Sequence, residues 1–446
     1  MSDKTKHIAI IGAGLVGSLL SIFLARRGYR VSVFERRPDP RHHQDDEGRS
    51  INLALSTRGI RALETVRLAA EIEKIAIPMH GRMMHDTSGR LTFLRYGKKD
   101  QYINSISRSG LNEMLIRKAE ENNVSFFFQH RCSQIALETS AVTFLQADSH
   151  SETKPFDLVI GADGAFSAVR SAMQITDRFD YSQHYLEHGY KELHIPAAIA
   201  GGFQMEKNCL HIWPRESFMM IALPNQDGSF TCTLFLPFEG RLSFSSLKDG
   251  QQVRSFFDEA FPDVIPRMPR LAEDYDTNPT GSLVTIRCFP WVRHNTFLIG
   301  DAAHAIVPFY GQGMNAGFED CRILNQLLDE HDDEWPRVLD DFQTRRKEDG
   351  DAIAQLAFDN FIEMRDLVAD PDFLLRKKIE AKLHELYPEK WIPLYSMVTF
   401  REDIRYSQAY RTGKKQERIM DDVMNTPDIA GRWKELNFKE IVDQLA

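Results

Sequence analysis

The sequence predicts an α/β protein: a Rossmann-like dinucleotide-binding domain, an antiparallel β-sheet inserted into it, and a helical C-terminal region. Three observations predict this. Residues 7–35 read as strand, glycine turn, helix, strand and terminal acid; residues 190–237 read as successive strands with no helix between them; from residue 335 onward the pattern is helical and rich in charge. The first is the order of elements that binds a dinucleotide. The second indicates an antiparallel sheet in place of further βαβ units.

Residues 7–35 are HIAIIGAGLVGSLLSIFLARRGYRVSVFE. Residues 7–11 form a short apolar strand, and Gly12, Gly14 and Gly17 complete G-x-G-x-x-G at the mouth of a helix carrying Leu15, Leu19, Leu20, Phe23 and Leu24; Gly28 stops it. Each glycine has a mechanical reason: a tight turn, a backbone that a pyrophosphate can approach, and a helix start lying close to the strand. The helix N-terminus offers free N–H groups to phosphates. Residues 30–34 make the second strand, and Glu35 at its end can accept both hydroxyls of an adenosine ribose. Arg36 and Arg37 could meet a 2′-phosphate, but a carboxylate at the ribose edge repels one, so FAD or NAD is favoured over NADP. The uncharged run 8–25 could also be read as a signal peptide or anchor. Three glycines at turn spacing and the absence of a small-x-small cleavage site argue against that.

The polar segment 36–50 reads as a loop, in which Arg49 could meet a flavin or phosphate oxygen. Residues 57–75 are predicted to be one helix, with Pro78 ending that region. GRMMHD and LTFLRYG flank a turn at 87–89 and are expected to form a hairpin leaving the nucleotide domain. Residues 107–122 are helical, with Leu111, Met114, Leu115 and Ala119 on one face, and a strand follows at 124–129. DLVIGADGAFSAVR, residues 157–170, is a buried strand, a glycine turn and a helix beginning near Ser167. It puts Asp163 at a strand end, where ligands sit in parallel sheets; taken alone it could equally be an ordinary βα turn. YKELHI, CLHIWP, SFMMIALP and SFTCTLFLP give the second sheet; a short helix is expected at 253–261 and a strand at 282–287. The strand FLIG then leads into DAAHAIVPFYGQGMNAGFEDCRILNQLL, with Asp301 closing the strand and a helix at about 314–328. Asp301 can accept from ribityl hydroxyls, and the helix N-terminus can hold negative charge on a flavin ring. Prolines 371, 388, 393 and 427 break the helical remainder.

The composition sets limits. A length of 446 residues with 42% apolar content allows two or three domains. A charge of −9 without a long basic run makes nucleic acid an unsuitable partner. Cys132, Cys209, Cys232, Cys288 and Cys321 are odd in number and never in C-x-x-C spacing, which suits a reducing cytoplasm and no cysteine metal site. No second hydrophobic run is long enough to span a bilayer, so a soluble protein without a membrane anchor is expected.

GAGLVG with Glu35, GADGAFSAVR and LIGDAAHAIVPFYGQGMN together resemble the single-component FAD-dependent aromatic hydroxylases. RSINLALSTRG, HGRMMH, YKELHI, LHIWP, DNFIEM and YSMVTF extend the resemblance, nearly end to end, to the kynurenine 3-monooxygenase family within that class. The resemblance implies FAD as cofactor, NADPH and O₂ as co-substrates, and hydroxylation of L-kynurenine through a flavin hydroperoxide. It implies a discontinuous FAD-binding domain (1–75, 100–176, 280–334), a substrate-binding sheet domain (76–99, 177–279) and a helical region (335–446). Cofactor contacts are expected from Gly12, Gly14, Val16, Gly17, Glu35, Arg36, Arg37, Arg49, Ala54, Arg108, Cys132, Asp163, Asp301, Gly313, Met314 and Asn315. Arg82, Tyr96, Asn360 and Tyr395 match the positions that hold the amino-acid carboxylate. Ile221, Leu223, Phe235, Pro308, Phe309, Glu363 and Met364 match positions around the ring or its amine. Tyr310 stands where some relatives have histidine and is left out of the expected site. The ring amine already activates the neighbouring carbon, so no catalytic acid or base and no metal are expected.

Eukaryotic members end in a membrane anchor; none is read here, and membrane attachment is not carried over. A homodimer is an open expectation, and quinolinate synthesis and tryptophan catabolism are both compatible uses of the product. A hydroxylase of another small aromatic acid is the alternative on the same fold. A flavin halogenase would carry W-x-W-x-I-P, which is absent, and the intact GDAAH and GQGMN segments disfavour a non-redox escort protein.

Overall fold

The computed structural model describes residues 6–42, 52–98, 100–363 and 371–445. Its first unit is β1 (His7–Ile11), α1 (Leu15–Arg26) and β2 (Arg30–Phe34). After α1, Gly28 takes φ +92° and the Tyr29 N–H reaches the Leu24 carbonyl at 3.2 Å, a left-handed helix stop only glycine enters cheaply. Next come β3 (Asn52–Leu55), α2 (Thr57–Thr65), α3 (Ala69–Ile75), β4 (Ala76–Met79), the hairpin β5 (Gly81–His85) and β6 (Leu91–Arg95), β7 (Ile103–Ser107), α4 (Arg108–Glu121) and β8 (Ser125–Phe127). The single helix expected over 57–75 is two. Leu63, Val66 and Leu68 are all buried, and residues 66 and 68 cannot share one helix face, so the chain breaks at Arg67 with φ +53°.

β9 (His130–Ala136), β10 (Ala141–Gln146) and β11 (Ser151–Pro155) form a small antiparallel sheet that the sequence reading did not anticipate. β12 (Leu158–Gly161) and α5 (Ala168–Gln174) follow, then β13 (Asp180–Ile195), β14 (Cys209–Arg215), β15 (Phe218–Pro224), β16 (Phe230–Pro237), α6 (Gly250–Ala260), α7 (Leu271–Thr277), β17 (Thr280–Phe289), β18 (Val292–Arg293), β19 (Thr296–Leu298), α8 (Asp301–His304) and α9 (Gly313–Glu330). The nucleotide-type sheet has the order β18-β19-β12-β1-β2-β8, parallel except at β18. Its strands are short apolar runs because both faces are covered.

The second sheet has seven strands, β17-β13-β16-β15-β14-β5-β6. It is mixed, where an antiparallel sheet was expected: β14 runs parallel to β5. Tight turns force antiparallel pairing, but the β5–β6 hairpin enters from far upstream and is free of that constraint. One face of the sheet packs on α6 and α7 through Trp213, Met220, Ala222, Leu234, Phe257 and Phe261. The other looks toward α10 (Trp335–Ile362), α12 (Leu394–Phe400) and α13 (Tyr406–Met424), with Phe235, Phe309, Leu356, Phe361 and Met397 between them, while α11 (Pro371–Leu386), α14 (Ile429–Arg432) and α15 (Phe438–Asp443) pack on the end of α13 in a cluster of their own. No described helix is long and apolar enough to cross a membrane.

Candidate active site

A single cavity of about 890 Å³ runs from the glycine turn after β1 to the face of the seven-stranded sheet, at the upper end of the range for small-molecule sites. Its first end is built by close backbone approach. Gly12 has φ +108°, and a Cβ there would lie 2.5 Å from the Ala162 carbonyl oxygen; a Cβ on Gly17 would lie 2.0 Å from the Gly12 oxygen. Beside Gly14, the N-cap of α1, there is open space. Two glycines thus hold strand and helix together while the third leaves room for a phosphate, which is the test a dinucleotide cofactor must pass.

Glu35, 8% exposed, directly follows β2. Its Oε2 accepts from the Ala13 N–H at 3.0 Å, and its Oε1 accepts from Arg37 N at 3.0 Å and Nε at 3.1 Å. Arg36, Arg37, Ala54, Arg108 and Cys132 line the cavity with it. Burial pushes the Cys132 thiol up to about 12, so it remains a neutral thiol. Asp163 also lines the cavity, but its carboxylate caps α5, accepting from Ser167 Oγ at 2.5 Å and Ala168 N at 2.6 Å. Asp301, first residue of α8, opens into the cavity. Surrounding protein pushes its carboxyl above the ordinary value, opposed by His304 and Arg108. Val16, Gly313 and Met314 complete this wall. Gly17 and Asn315 stand behind it. Asn315 joins α9 to β3, its Nδ2 donating to the Ala54 and Gly311 carbonyls at 2.8 Å each and its Oδ1 accepting from Ser56 N at 2.9 Å. Arg49 and Met364 lie outside the described residues.

The other end follows the two-residue period of the strands. Met219, Ile221 and Leu223 on β15, Thr233 and Phe235 on β16, Leu210 and Ile212 on β14, and Arg82 on β5 face the cavity. Ile306, Pro308, Phe309, Tyr310 and Tyr395 close it from the other side. Met219 and Thr233 could have been found by extending the alternation that Ile221, Leu223 and Phe235 already mark. Tyr310 had no such signal, since it sits in a single 3₁₀ turn at residues 308–310.

The Arg82 Nε and the Tyr96 hydroxyl are buried with no hydrogen-bond partner among the described residues. The guanidinium carbon lies 4.7 Å from the Tyr395 ring centre and 5.5 Å from that of Tyr96. Tyr96, Tyr395 and Tyr310 stack in series, with centres 5.4 and 5.6 Å apart. Burial holds the Tyr96 phenol well above its ordinary value, so it stays a neutral donor. A buried guanidinium whose Nε is unbonded is costly to leave without an anion, and Arg82 with the two phenol rings beside it suits an incoming carboxylate. Tyr96 lies behind the cavity wall; Asn360 on α10 donates from Nδ2 to the Phe309 carbonyl at 2.8 Å, and Glu363 faces Lys377 at 3.8 Å.

Beneath the cavity lies a buried ionic chain. His304 Nε2 is 2.6 Å from Asp320 Oδ2, which also accepts from Gly300 N at 3.1 Å. Arg346 bonds Asp320, Glu319 and Asp349 at 2.7, 2.8 and 3.1 Å, and Arg58 bonds Glu319 at 2.5 Å. Arg58 also donates to the Val398 carbonyl at 2.9 Å, which fixes the helix that carries Tyr395. Among the described residues one group has metal-ligand spacing, Glu330, His331 and Asp341, and Arg345 already pairs with both of its carboxylates at 3.0 and 2.6 Å.

The FAD binding domain family matches residues 5–357. A kynurenine 3-monooxygenase of Christiangramia forsetii is 48% identical over 445 residues, covering 99% of each chain. That of Myxococcus xanthus is 48% identical over 428 residues, 95% of this chain and 92% of its own. That of Dictyostelium discoideum is 44% identical over 438 residues, 95% and 94%. Among solved structures, 2-methyl-3-hydroxypyridine-5-carboxylic acid oxygenase superposes with a TM-score of 0.67 at 20% identity, over 82% of this chain and 95% of that one. Pseudomonas aeruginosa PqsL in complex with 2-aminobenzoylacetate gives 0.65 at 20% identity, over 81% and 97%; at such identity these two speak for the fold.

Proposed function

The chain belongs to the kynurenine 3-monooxygenase family of FAD-dependent enzymes, and on that premise we propose that it hydroxylates L-kynurenine to 3-hydroxykynurenine, using NADPH and O₂. The observation that carries the substrate reading is Arg82, whose Nε has no hydrogen-bond partner among the described residues, at the end of an otherwise largely apolar slot. An aromatic amino acid needs a guanidinium fork for its carboxylate, phenol donors to complete the contact, and an apolar wall for its ring. Arg82 takes the carboxylate, with Tyr395 completing the clamp, Tyr96 backing both from behind the wall, and Asn360 holding Phe309 in place. Ile221, Leu223, Phe235, Pro308 and Phe309 receive the ring and exclude water from it.

The α1 N-terminus and Gly14 receive the pyrophosphate of FAD, Glu35 its ribose, and Asp301 with Arg108 the ribityl side. Bound FAD supplies the chemistry that passes electrons from NADPH to O₂ and delivers one oxygen atom to the ring. The protein contributes orientation and dryness; the ring amine provides the electron density, so no side-chain base is assigned. Five buried, unpaired cysteines support a reducing, cytoplasmic setting. The direct test is NADPH oxidation with and without L-kynurenine, with the product identified. Formation of 3-hydroxykynurenine by a yellow protein is expected. Turnover of a different aromatic acid alone would reassign the slot, and a colourless protein without turnover would remove the enzyme.

A further inference from the structure

The face of the seven-stranded sheet opposite the cavity carries a hydrogen-bonded chain that the site above does not use. His85, on β5, is 3% exposed and stacks on Trp213 at 4.0 Å between ring centres. Its Nδ1 lies 2.7 Å from Asp263 Oδ2, and its Nε2 lies 2.9 Å from Nδ1 of His211 on β14. His211 Nε2 in turn lies 2.8 Å from the Glu206 carbonyl oxygen. A carbonyl only accepts, so His211 carries its proton on Nε2 and, as a neutral ring, offers a lone pair at Nδ1. His85 Nε2 must therefore donate to it. Asp263 accepts from the Trp213 indole at 3.1 Å on both oxygens, and as a carboxylate it accepts from His85 Nδ1 as well. Both nitrogens of His85 then bear protons.

Two electrostatic tendencies agree with this bookkeeping. Burial pushes His211 down to about 4, keeping it neutral. Burial works to raise the Asp263 carboxyl, and the bonds from His85 and Trp213 outweigh it and hold the carboxyl below its ordinary value. The other charged groups near the chain are Arg215, which donates to the His85 carbonyl at 3.0 Å and the Asp86 carbonyl at 3.2 Å, and Arg267, which donates to the Asp263 carbonyl. Glu206 and Arg267 line the small cavity beside His85 and His211.

Arg82 is three residues before His85 on the same strand and faces the other way. β5 pairs with β14 in the register Arg82↔Leu210 and Met83↔His211. A slip of one residue would turn Arg82 out of the cavity. We propose that His85 is a buried imidazolium that straps β5 to β14 and to the Asp263 turn, and is thereby the positioning residue for Arg82. The proposal rests on the reading of Arg82 as the carboxylate ligand.

The test uses FAD-loaded full-length enzyme labelled with ¹⁵N-histidine. At neutral pH a doubly protonated histidine signal, separate from that of the Asp320-paired His304, should be present and should vanish in His85→Gln. A His85 bearing a single ring proton overturns the imidazolium. By flavin absorbance, kynurenine should bind His85→Gln about tenfold more weakly at unchanged flavin content, while His211→Gln, which keeps an acceptor and a donor, should bind close to wild type. Unchanged affinity in His85→Gln, with Arg82→Ala weakened, overturns the positioning role and leaves the clamp standing. Unchanged affinity in both substitutions overturns the clamp and the positioning role together, and the nitrogen signals alone then decide the proton. Should His85→Gln not fold, Asp263→Asn serves for assignment and affinity alike, because it removes the carboxylate that holds the second proton.

Discussion

Glu35 and Arg82 sit at opposite ends of one cavity, and a single substitution tests each. Glu35→Ala removes a charged acceptor from the adenosine end, a loss of about 1.5–3 kcal/mol per hydrogen bond to a charged group. The purified variant should be paler, and undiminished flavin after extensive dialysis would contradict the assignment. Arg82→Lys keeps the charge and loses the planar fork. The apparent KM for kynurenine should rise tenfold or more while colour and Tm hold; early melting with normal affinity would make Arg82 a brace for the hairpin. At this scale the sequence was informative where a residue has one mechanical duty. Gly12 and Gly17 could be read from spacing, because close backbone approach leaves few alternatives. Asp163 could not: the strand-end position says that a carboxylate is there, and only the structure shows it turned back onto the α5 N-terminus.

Elements bring these residues together, and α8 and α9 do so through the buried chain of His304, Asp320 and Arg346. Burial disfavours the His304 cation, but Asp320 outweighs it and the folded pKa lies above 6.5. The stability this gives is full below pH 6.5 and is lost as pH rises through the raised value. Burial likewise disfavours the Asp320 carboxylate; His304 and Arg346 outweigh it and depress its pKa, so that contribution is lost as pH falls through the depressed value. Urea unfolding midpoints across pH should show both shoulders. Asp320→Asn should flatten them and cost about 3–5 kcal/mol, since it leaves two buried cations short of a partner; an unchanged profile would remove the chain from the stability account. Element boundaries were legible where one period runs unbroken, as in α1 and β15. They were not where a helix breaks to bury Val66 and Leu68 together, nor where β14 accepts a parallel neighbour from a hairpin more than a hundred residues upstream.

At the scale of the molecule, the cavity needs segments that no local pattern connects: β1 and β2, the β5–β6 hairpin, the long sheet, the 308–310 turn and α12. Periodicity could say that each was strand or helix, but not that Arg82, Phe309 and Tyr395 face one space; the resemblance to a known family supplied that convergence. A shared space allows coupling, in which a ligand at one end shifts the populations of the whole to the extent that it binds one arrangement better than another. Anaerobic stopped flow should show faster flavin reduction by NADPH when kynurenine is present, and equal rates would contradict the coupling. The most direct measurement of the site itself is a titration of L-kynurenine into oxidised enzyme, followed by flavin absorbance, in wild type and Arg82→Ala. Wild type should give a saturable spectral change, and the variant, still yellow and folded, should bind at least about thirtyfold more weakly, the lower end of the roughly 2–5 kcal/mol lost with a buried charge partner. Equal affinity in a well-folded Arg82→Ala protein would contradict the carboxylate clamp.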